Sequence, residues 1–492
     1  MRPANILPGL RAIGAGLASV SPVRLAFFGS LLLSLIAVLG VVTIGRDGAL
    51  YIDIAQQISL HGPRVAWDKF DWPWFSFLLA GTHLLLRIPL EGCAYLWCAL
   101  FLAGTCALMV DYVRQRIPQA GYWACLVMLG MPAVNQFRND IIREFGFWFF
   151  CTLAIWLAMR WETRGGWRGA ALVHLAVLGA TLFRPEALLL IAALMAWQVP
   201  GLRHAEGRKR FAQLLALPLL GALVLGAAFV LKGGWHFARL DYFLGFVEPG
   251  SLFASFKQLS QQFADSLINK YSADEAGRII LFGLAASLLI KLVHLMGPFA
   301  LPFLQPRQWR GLALYWQAFR PAAIVALLYL AVLMLFFVRL QFMNGRYLSF
   351  VNLLLVPLLA LVLYSWAEQF PRLARWFVAL GVLMMLANVI SFGTPKTQYV
   401  HAGQWVGEHV PASASVYYED GRIAYYAGRG YPLSDLTREA AMAPGSAEHY
   451  QYFVVESGKH DAWLEQWLKA SDRRVLASFA NRKGDRMVII GR

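Results

Sequence analysis

Charged residues are scarce in this chain of 492 amino acids, and acidic residues are the scarcest. Asp and Glu number 28 against 44 Lys and Arg, and the four types together make up 15% of the sequence. Hydrophobic residues make up 59%, which is far too much for a soluble globular protein. The composition therefore predicts a polytopic α-helical membrane protein.

Cysteine is also rare, with five residues in the whole chain and none after Cys151. All five fall in apolar segments, and their spacing matches neither a metal site nor a disulfide framework. We expect them to pack as small buried hydrophobes. The absence of cysteine from the C-terminal part means only that this part folds without disulfides.

Apolar runs of about 20 residues recur along the chain, and each is long enough to cross roughly 30 Å of hydrocarbon as a helix. We expect about eleven such transmembrane helices. Their approximate bounds are 25–44, 91–112, 119–136, 145–160, 168–183, 187–200, 211–231, 279–303, 320–339, 347–366 and 375–393. The first run is too long for a signal-peptide core, so it is interpreted as a retained anchor.

The net charge of +16 comes from basic residues that are distributed between the predicted membrane spans, and this distribution does not indicate nucleic-acid binding. Basic residues gather in short connections between the apolar runs, as in the Arg114–Arg116, Arg203–Arg210 and Arg307–Arg320 regions. The positive-inside rule assigns these connections to the cytoplasm. The N-terminus is then cytoplasmic, and most acids before residue 394 fall on or near the opposite face.

The first outer loop, residues 45–90, is expected to hold two juxtamembrane helices. Residues 49–60 have an amphipathic helical pattern, which is typical of a helix lying in the interface. Residues 72–90 are apolar enough to span, but a span here would move every later basic loop outside. They are therefore assigned to a second interfacial or re-entrant helix.

Two domains are predicted. Residues 1–393 form the transmembrane domain, and residues 394–492 change abruptly to ordinary soluble sequence. Strand-like segments near 415–419, 450–455, 475–479 and 487–490 alternate with helices near 399–409 and 460–470. Counting spans places this small α/β domain outside the cytoplasm.

Asp47 is the first candidate for chemistry. It follows the first apolar run directly, and an ionised group at a membrane boundary must face water or a polar cleft because charge is costly in lipid. Asp140 emerges in a second outer connection. Two acids from separate outer loops suit a general base and its positioning partner. The alternative is that Asp140 only pairs with Arg138 or Arg143 at a helix end.

Arginines at the outer boundary suggest phosphate binding. Arg184 interrupts two apolar runs, and the Arg346-Tyr347 pair opens a late span. Guanidinium groups bind phosphate through planar, charge-assisted hydrogen bonds. Each arginine has a simpler explanation, which is a local ion pair with Glu186 for Arg184 and snorkelling to the interface for the others.

The pattern Asp47-x3-Tyr51-x-Asp53-Ile54, a glycine at Gly62 and the helix start Trp72-Pro73 resemble the GT-C membrane glycosyltransferases. The likeness is to the branch with protein O-mannosyltransferase-like enzymes and lipid A aminoarabinose transferases, and covers residues 25–395 as architecture. In that branch a second acid lies in the next outer loop, a basic residue follows span 5, and an Arg-Tyr pair precedes a late span. Asp140, Arg184 and Arg346-Tyr347 match these features.

The sequence departs from the family pattern at two places. Gly48 stands where the family often has Glu, and Trp72-Pro73-Trp74 stands where a Lys-Pro-Pro-like sequence is common. Lys69 and Arg64 are the possible stand-ins for supporting a donor phosphate from the first loop. The catalytic assignment therefore rests on Asp47 first and Asp140 second.

The resemblance implies transfer of a sugar from a polyprenyl-phosphate carrier to a lipid, glycan or protein acceptor outside the cytoplasm. It further implies inversion at the anomeric carbon, no cofactor and no obligatory metal. Asp47 takes the acceptor proton in this scheme, and Arg143, Arg184 or Arg346 stabilises the leaving phosphate. Tyr51, Asp53, Lys69 and Tyr347 complete the expected substrate-binding set.

Two other function classes stay open. A polysaccharide polymerase or ligase would also have many spans and functional arginines, but it would not require the Asp47 motif. A transporter would place ionisable groups near the midplane, whereas most here lie toward the outer face. The charge distribution fits a bacterial inner membrane with the active face in the periplasm.

Overall fold

The structure is a computed structural model, and it describes residues 20–231, 248–267, 269–390, 393–433, 436–458 and 461–492. These residues divide into two compact units. The first unit comprises the described residues up to Leu35 together with Ala99–Arg138 and Arg143–Val389. The second comprises Ile36–Cys98, Asn139–Ile142 and the described residues from 393 to Arg492 as its C-terminal part.

Helices dominate the chain up to Val389. In chain order they are α1 Pro22–Leu39, α2 Arg46–His61, α3 Val65–Lys69, α4 Trp74–Leu86, α5 Leu90–Arg116, α6 Gly121–Gly130, α7 Pro132–Asn135, α8 Glu144–Arg164, α9 Trp167–Phe183, α10 Leu189–Gln198, α11 Ala205–Leu231, α12 Pro249–Ser266, α13 Ala276–Met296, α14 Arg310–Ala318, α15 Arg320–Leu340, α16 Gly345–Leu354, α17 Val356–Gln369 and α18 Pro371–Val389. Short 3₁₀ turns such as Pro185–Leu188 and Pro306–Trp309 join some of them.

Seven helical segments of the described residues are long and apolar enough to cross a membrane, and they fall on α1, α5, α10, α11, α13, α15 and α18 with their flanking turns. The pair α16 and α17, bent by 57°, would make an eighth span. The other expected spans fall on α6, α8 and α9, which are shorter or carry more charge. The polytopic helical architecture is confirmed, and the number of spans stays approximate.

Small residues let α8 and α9 of the first unit pack closely. A Cβ atom built on Gly146 would lie 2.3 Å from the ring of Phe183, so this position admits no larger residue without repacking. Farther along the same two helices, Ala158, Ala170 and Val173 are fully buried together. This packing holds the C-terminal end of α9, which Arg184 directly follows, against the start of α8.

The segment predicted to be the first outer loop contains helices, as expected. In the second unit α2 covers the predicted 49–60 helix, and α4 lies within the predicted 72–90 segment. The rings of Phe75 on α4 and Tyr51 on α2 meet edge to face at 5.5 Å. The Ser76 hydroxyl also donates to the Tyr51 carbonyl at 3.0 Å. Aromatic packing and a buried hydrogen bond therefore join the two helices.

The C-terminal part of the second unit is a small α/β domain, which confirms the predicted fold class. Its strands are β1 Val416–Tyr418, β2 Tyr452–Ser457, β3 Arg474–Ala480 and β4 Arg486–Gly491, and its helices are α19 Thr397–His409, α20 Gly421–Tyr426, α21 Arg438–Ala441 and α22 Ala462–Ser471. The strand order is β1-β2-β4-β3; β1 and β2 are parallel, and the other neighbours are antiparallel.

Alternating residues of the central strands supply a core on each face of this sheet. Val454 and Ile489 pack beneath α19, while Phe453 and Val488 pack with α22 on the other face. Side chains of a strand point alternately to the two faces, so an apolar strand can serve both cores. The sheet is therefore covered by helices on both sides.

Candidate active site

Asp47 lies in the first turn of α2, whose N-cap is Gly45. The unsatisfied N–H groups at a helix N-terminus favour a nearby negative charge. A Cβ atom built on Gly45 would lie 3.4 Å from Oδ1 of Asp140, so the second predicted acid reaches the same helix end. Asp47 and Asp140, which are far apart in sequence, thus both lie at the N-terminus of α2.

Gly48 explains how the Asp140 segment comes so near. A Cβ atom at this position would lie 2.9 Å from Cβ of Ile141 and 2.8 Å from the side chain of Ile44. Both distances are shorter than a real Cβ contact allows, so any side chain here would push the 139–142 segment away from α2. The departure at Gly48 therefore has a packing reason.

Tyrosines from distant parts of the chain surround this helix end. The Tyr426 hydroxyl of α20 accepts a 2.7 Å hydrogen bond from the backbone N–H of Ile44. Burial raises the pKa of the Tyr431 phenol, and the negative charges of Asp420 and Asp47 raise it further. The Tyr431 phenol is therefore protonated at neutral pH and is able to donate a hydrogen bond.

Tyr95 is a further polar group near the acids. Its hydroxyl is buried and has no hydrogen-bond partner among the described residues. The side chain lies within electrostatic reach of Asp140, Glu91 and Tyr426. A buried hydroxyl without a partner is costly, so it is well placed to bond a ligand that enters beside Asp140.

An ion pair joins α20 to the start of α2. The guanidinium Nε of Arg46 donates to Asp420 at 2.8 Å, and Arg422 donates to the same carboxylate at 2.9 and 2.7 Å. Asp420 is fully buried, whereas the Arg46 side chain is largely exposed. The C-terminal domain thus contacts the residue that directly precedes Asp47.

Asp53 and Lys69 form a pair one turn and a half along α2. Nζ of Lys69 lies 2.6 Å from Oδ2 of Asp53, which is almost fully buried. A Cβ atom built on Gly430 would lie 2.9 Å from Oδ1 of the same carboxylate. Together with the ring contact of Tyr51, this pair joins α2 to α3, α4 and the 427–431 turn. Arg64, at the start of α3, is exposed.

Arg184 is the centre of a buried ionic cluster in the first unit. Its guanidinium donates to Glu144 at 2.9 Å and to Glu186 at 2.7 Å, and it lies 4.7 Å from the centre of the Tyr347 ring. The charge of Arg143, at the N-cap of α8, also acts on Glu186. The local ion pair expected from the sequence is present, and it is joined by Glu144 and Tyr347.

Arg346 and Tyr347 lie in the first turn of α16. The Asn344 side chain caps this helix by accepting from the backbone N–H of Arg346 at 3.1 Å. The Tyr347 ring packs between the Arg184 guanidinium and the ring of Phe336. The structure therefore brings Arg184 and Tyr347 into contact and fixes the backbone of Arg346 beside them.

A cationic pocket of about 290 Å³ opens next to the start of α16. Lys291 of α13 donates to the carbonyl of Met343 at 2.5 Å, and Ser287, Gln341 and Phe342 also line the pocket. An ionised group inside an apolar span is expensive and usually has a partner or a function. This pocket offers N–H and O–H donors beside apolar walls.

Comparison with known proteins gives a likeness in fold only. No family model matches the chain, and no curated protein matches it in sequence. Among solved structures it is similar to an oligosaccharyltransferase from Archaeoglobus fulgidus, crystallised in complex with zinc and sulfate. The TM-score is 0.59 at 15% identity, over 88% of this chain and 67% of that chain. The likeness shows that this chain and that oligosaccharyltransferase share a fold.

Several residues around Asp47 and Arg184 were missed by sequence reasoning. Tyr426, Tyr431 and Asp420 are roughly 380 residues away from Asp47 along the chain, and no local pattern connects them with α2. Glu144 had one signal, its position directly after Arg143 at a helix start. A carboxylate there is often explained by the helix dipole alone.

The described residues contain no ready-made cluster for a metal ion. No group of three or more His, Cys, Asp or Glu side chains there is arranged to hold an ion. The five cysteines are all buried and unpaired as disulfides, in agreement with their expected packing role.

Proposed function

We propose that this protein is a glycosyltransferase that moves a sugar from a polyprenyl-phosphate carrier to an extracytoplasmic acceptor. The observation that carries the proposal is that Asp47 and Asp140 both lie at the N-terminus of α2, in a chain whose fold is similar to that of an oligosaccharyltransferase. Two acids from separate loops, beside buried tyrosines, form a polar site in an otherwise apolar protein. General-base chemistry needs such a site.

Asp47 acts as the general base in this proposal. It removes the proton from the acceptor hydroxyl while the acceptor oxygen forms a bond to the anomeric carbon. The bond from that carbon to the carrier phosphate breaks, and its electron pair leaves with the phosphate, so the configuration inverts. Asp140 orients Asp47 or the acceptor. If the acceptor is itself a phosphate, the role of Asp47 is positioning.

Cations of the first unit stabilise the departing phosphate. Arg346 and Arg143 are proposed as direct contacts, since planar guanidinium groups match phosphate geometry. Arg184 is already bonded to Glu144 and Glu186, so its proposed part is to hold Tyr347 and the start of α16 in place. Tyr51, Asp53 and Lys69 maintain the shape of the first outer loop around Asp47.

The setting proposed for this reaction is a bacterial inner membrane, with the N-terminus cytoplasmic and the C-terminal domain in the periplasm. Basic connections support that orientation through the positive-inside rule. The acceptor is then a lipid, glycan or protein of the cell envelope.

The test compares extracted lipids and envelope glycoconjugates by mass spectrometry. Four strains are needed, with no copy, the wild-type copy, Asp47→Asn or Asp68→Asn, at matched expression. Asp68 is an exposed acid of α3 in the same loop and serves as the charge-matched control. We expect a sugar-sized mass on one acceptor with wild type and Asp68→Asn, and about 10²- to 10⁴-fold slower transfer with Asp47→Asn.

Carrier-linked sugar should accumulate in the strain without the gene and in the Asp47→Asn strain. Wild-type levels of product with Asp47→Asn would contradict the base assignment. Loss of long polymer chains without loss of a single sugar would instead identify a polymerase or ligase.

A further inference from the structure

A polar groove of about 560 Å³ lies between α17 and the segment that leads into α14. Arg307 and Arg310 line one side of it, and Ser365 and Gln369 line the other. A Cβ atom built on Gly311 would lie 2.8 Å from the side chain of Val362, so the start of α14 is pressed against α17 here. The Gly311 backbone and the Val362 side chain therefore pack tightly where they line the groove.

The groove presents hydrogen-bond donors and positive charge. Neither arginine has an ion-pair partner in the part of the chain that the structure describes. Gln308 is almost fully buried, and an amide chain runs from it through Gln305 to Gln369 at 3.5 and 3.4 Å. The carboxylate of Glu368, on the same helix, is bonded to the Tyr364 hydroxyl and does not line the groove.

The segment that carries these arginines also has an exposed apolar face. Trp309, Leu312 and Trp316 are spaced three and four residues apart, so they share one side of the segment, and they are 61%, 46% and 42% exposed. Exposed tryptophans beside arginines are typical of a helix that lies in the membrane interface. Leu314, also exposed, lines the groove itself.

We propose that this groove binds the phosphate headgroup of an anionic phospholipid. Arg307 and Arg310 neutralise the phosphate, Ser365 and the glutamine amides bond its oxygens, and the acyl chains leave along Leu314 and Leu361, which also line the groove. Basic pockets between transmembrane helices bind such headgroups through the same combination of charge and adjoining apolar surface. This binding site is independent of the proposed transfer reaction.

The experiment uses the purified full-length protein in detergent, with bound lipid counted by native mass spectrometry. The probes are phosphatidylglycerol, phosphatidylcholine with the same acyl chains, and inorganic phosphate as a competitor. The variant is Arg307→Gln/Arg310→Gln, and its charge-matched control is Arg164→Gln/Arg168→Gln, which removes two exposed arginines elsewhere. A second variant, Arg307→Lys/Arg310→Lys, keeps both positive charges. It distinguishes an effect of lost charge from an effect of poor folding.

We expect wild type and the control to prefer phosphatidylglycerol over phosphatidylcholine by about tenfold to thirtyfold. The Gln variant should lose most of this preference, and the Lys variant should keep most of it. An unchanged preference in the Gln variant, or equal binding of both lipids by wild type, overturns the proposal. Displacement of the lipid by millimolar inorganic phosphate would show that the groove takes free phosphate instead.

Discussion

Gly428 and Gly430 lie two residues apart, and both have positive φ angles, 71° and 76°. Replacing either with alanine costs about 1–2 kcal/mol because an L-residue is disfavoured in that conformation. A Cβ atom at Gly430 would also approach Asp53 to 2.9 Å, whereas nothing lies within 4 Å of one at Gly428. We expect Gly430→Ala to lower the thermal unfolding midpoint clearly more than Gly428→Ala. Equal losses would mean that the turn does not press on Asp53.

Arg184 allows a sharper test of a buried ion cluster. Arg184→Gln leaves Glu144 and Glu186 buried without their cation, which we expect to cost about 3–5 kcal/mol of stability. The measurement is thermal unfolding of the detergent-solubilised protein. The control is the triple variant Arg184→Met/Glu144→Gln/Glu186→Gln, which removes all three charges and should recover much of the loss. A triple variant as unstable as the single one would show that packing of the arginine matters more than charge.

At the scale of elements, the short helix α20 connects the C-terminal domain to the beginning of α2. Burial alone would raise the pKa of its N-cap residue Asp420, but hydrogen bonds from Arg422 and Arg46, together with the charge of Arg422, outweigh burial and hold that pKa below its usual range. A lowered folded-state pKa contributes stability above the unfolded value, about 3.9. That contribution is lost as the pH falls through the folded value.

Asp420→Asn should therefore lower the unfolding midpoint at pH 7, and its deficit against wild type should shrink as the pH falls below about 4. The measurement is thermal unfolding of the full chain across this range. Asp472→Asn, at an exposed position with the same change of charge, is the control and should match wild type throughout. A deficit that is independent of pH would show that the charge of Asp420 is not what stabilises α20.

At the scale of the whole molecule, the proposed orientation can be tested with single cysteines. The five native cysteines are buried, so they should react little with a membrane-impermeant maleimide. Lys483→Cys lies in the turn before β4, and Arg168→Cys lies at the start of α9 in a basic connection; both positions are exposed. With the outer membrane permeabilised, we expect label on Lys483→Cys only, and on both after the inner membrane is opened. Label on Arg168→Cys alone in intact spheroplasts would reverse the orientation.

Composition and local pattern determined the class of this protein, its span-forming segments and the elements of its C-terminal domain. Apolar length and strand alternation are local properties, so the helices near 49–60 and 399–409 and all four strands were found with small errors at their ends. The ion pair of Arg184 with Glu186 was also a local expectation, because the two residues are nearly adjacent.

Tertiary structure alone decided which distant residues share a site. Asp140 reaches Gly45 because Gly48 leaves room for Ile141, and Asp420 reaches Arg46 because α20 packs against the start of α2. Such contacts depend on how helices and the sheet pack, and no spacing in the sequence records them. The residue types in the sequence identified the candidate catalytic and binding residues, but only packing determined their partners, burial and charge environment.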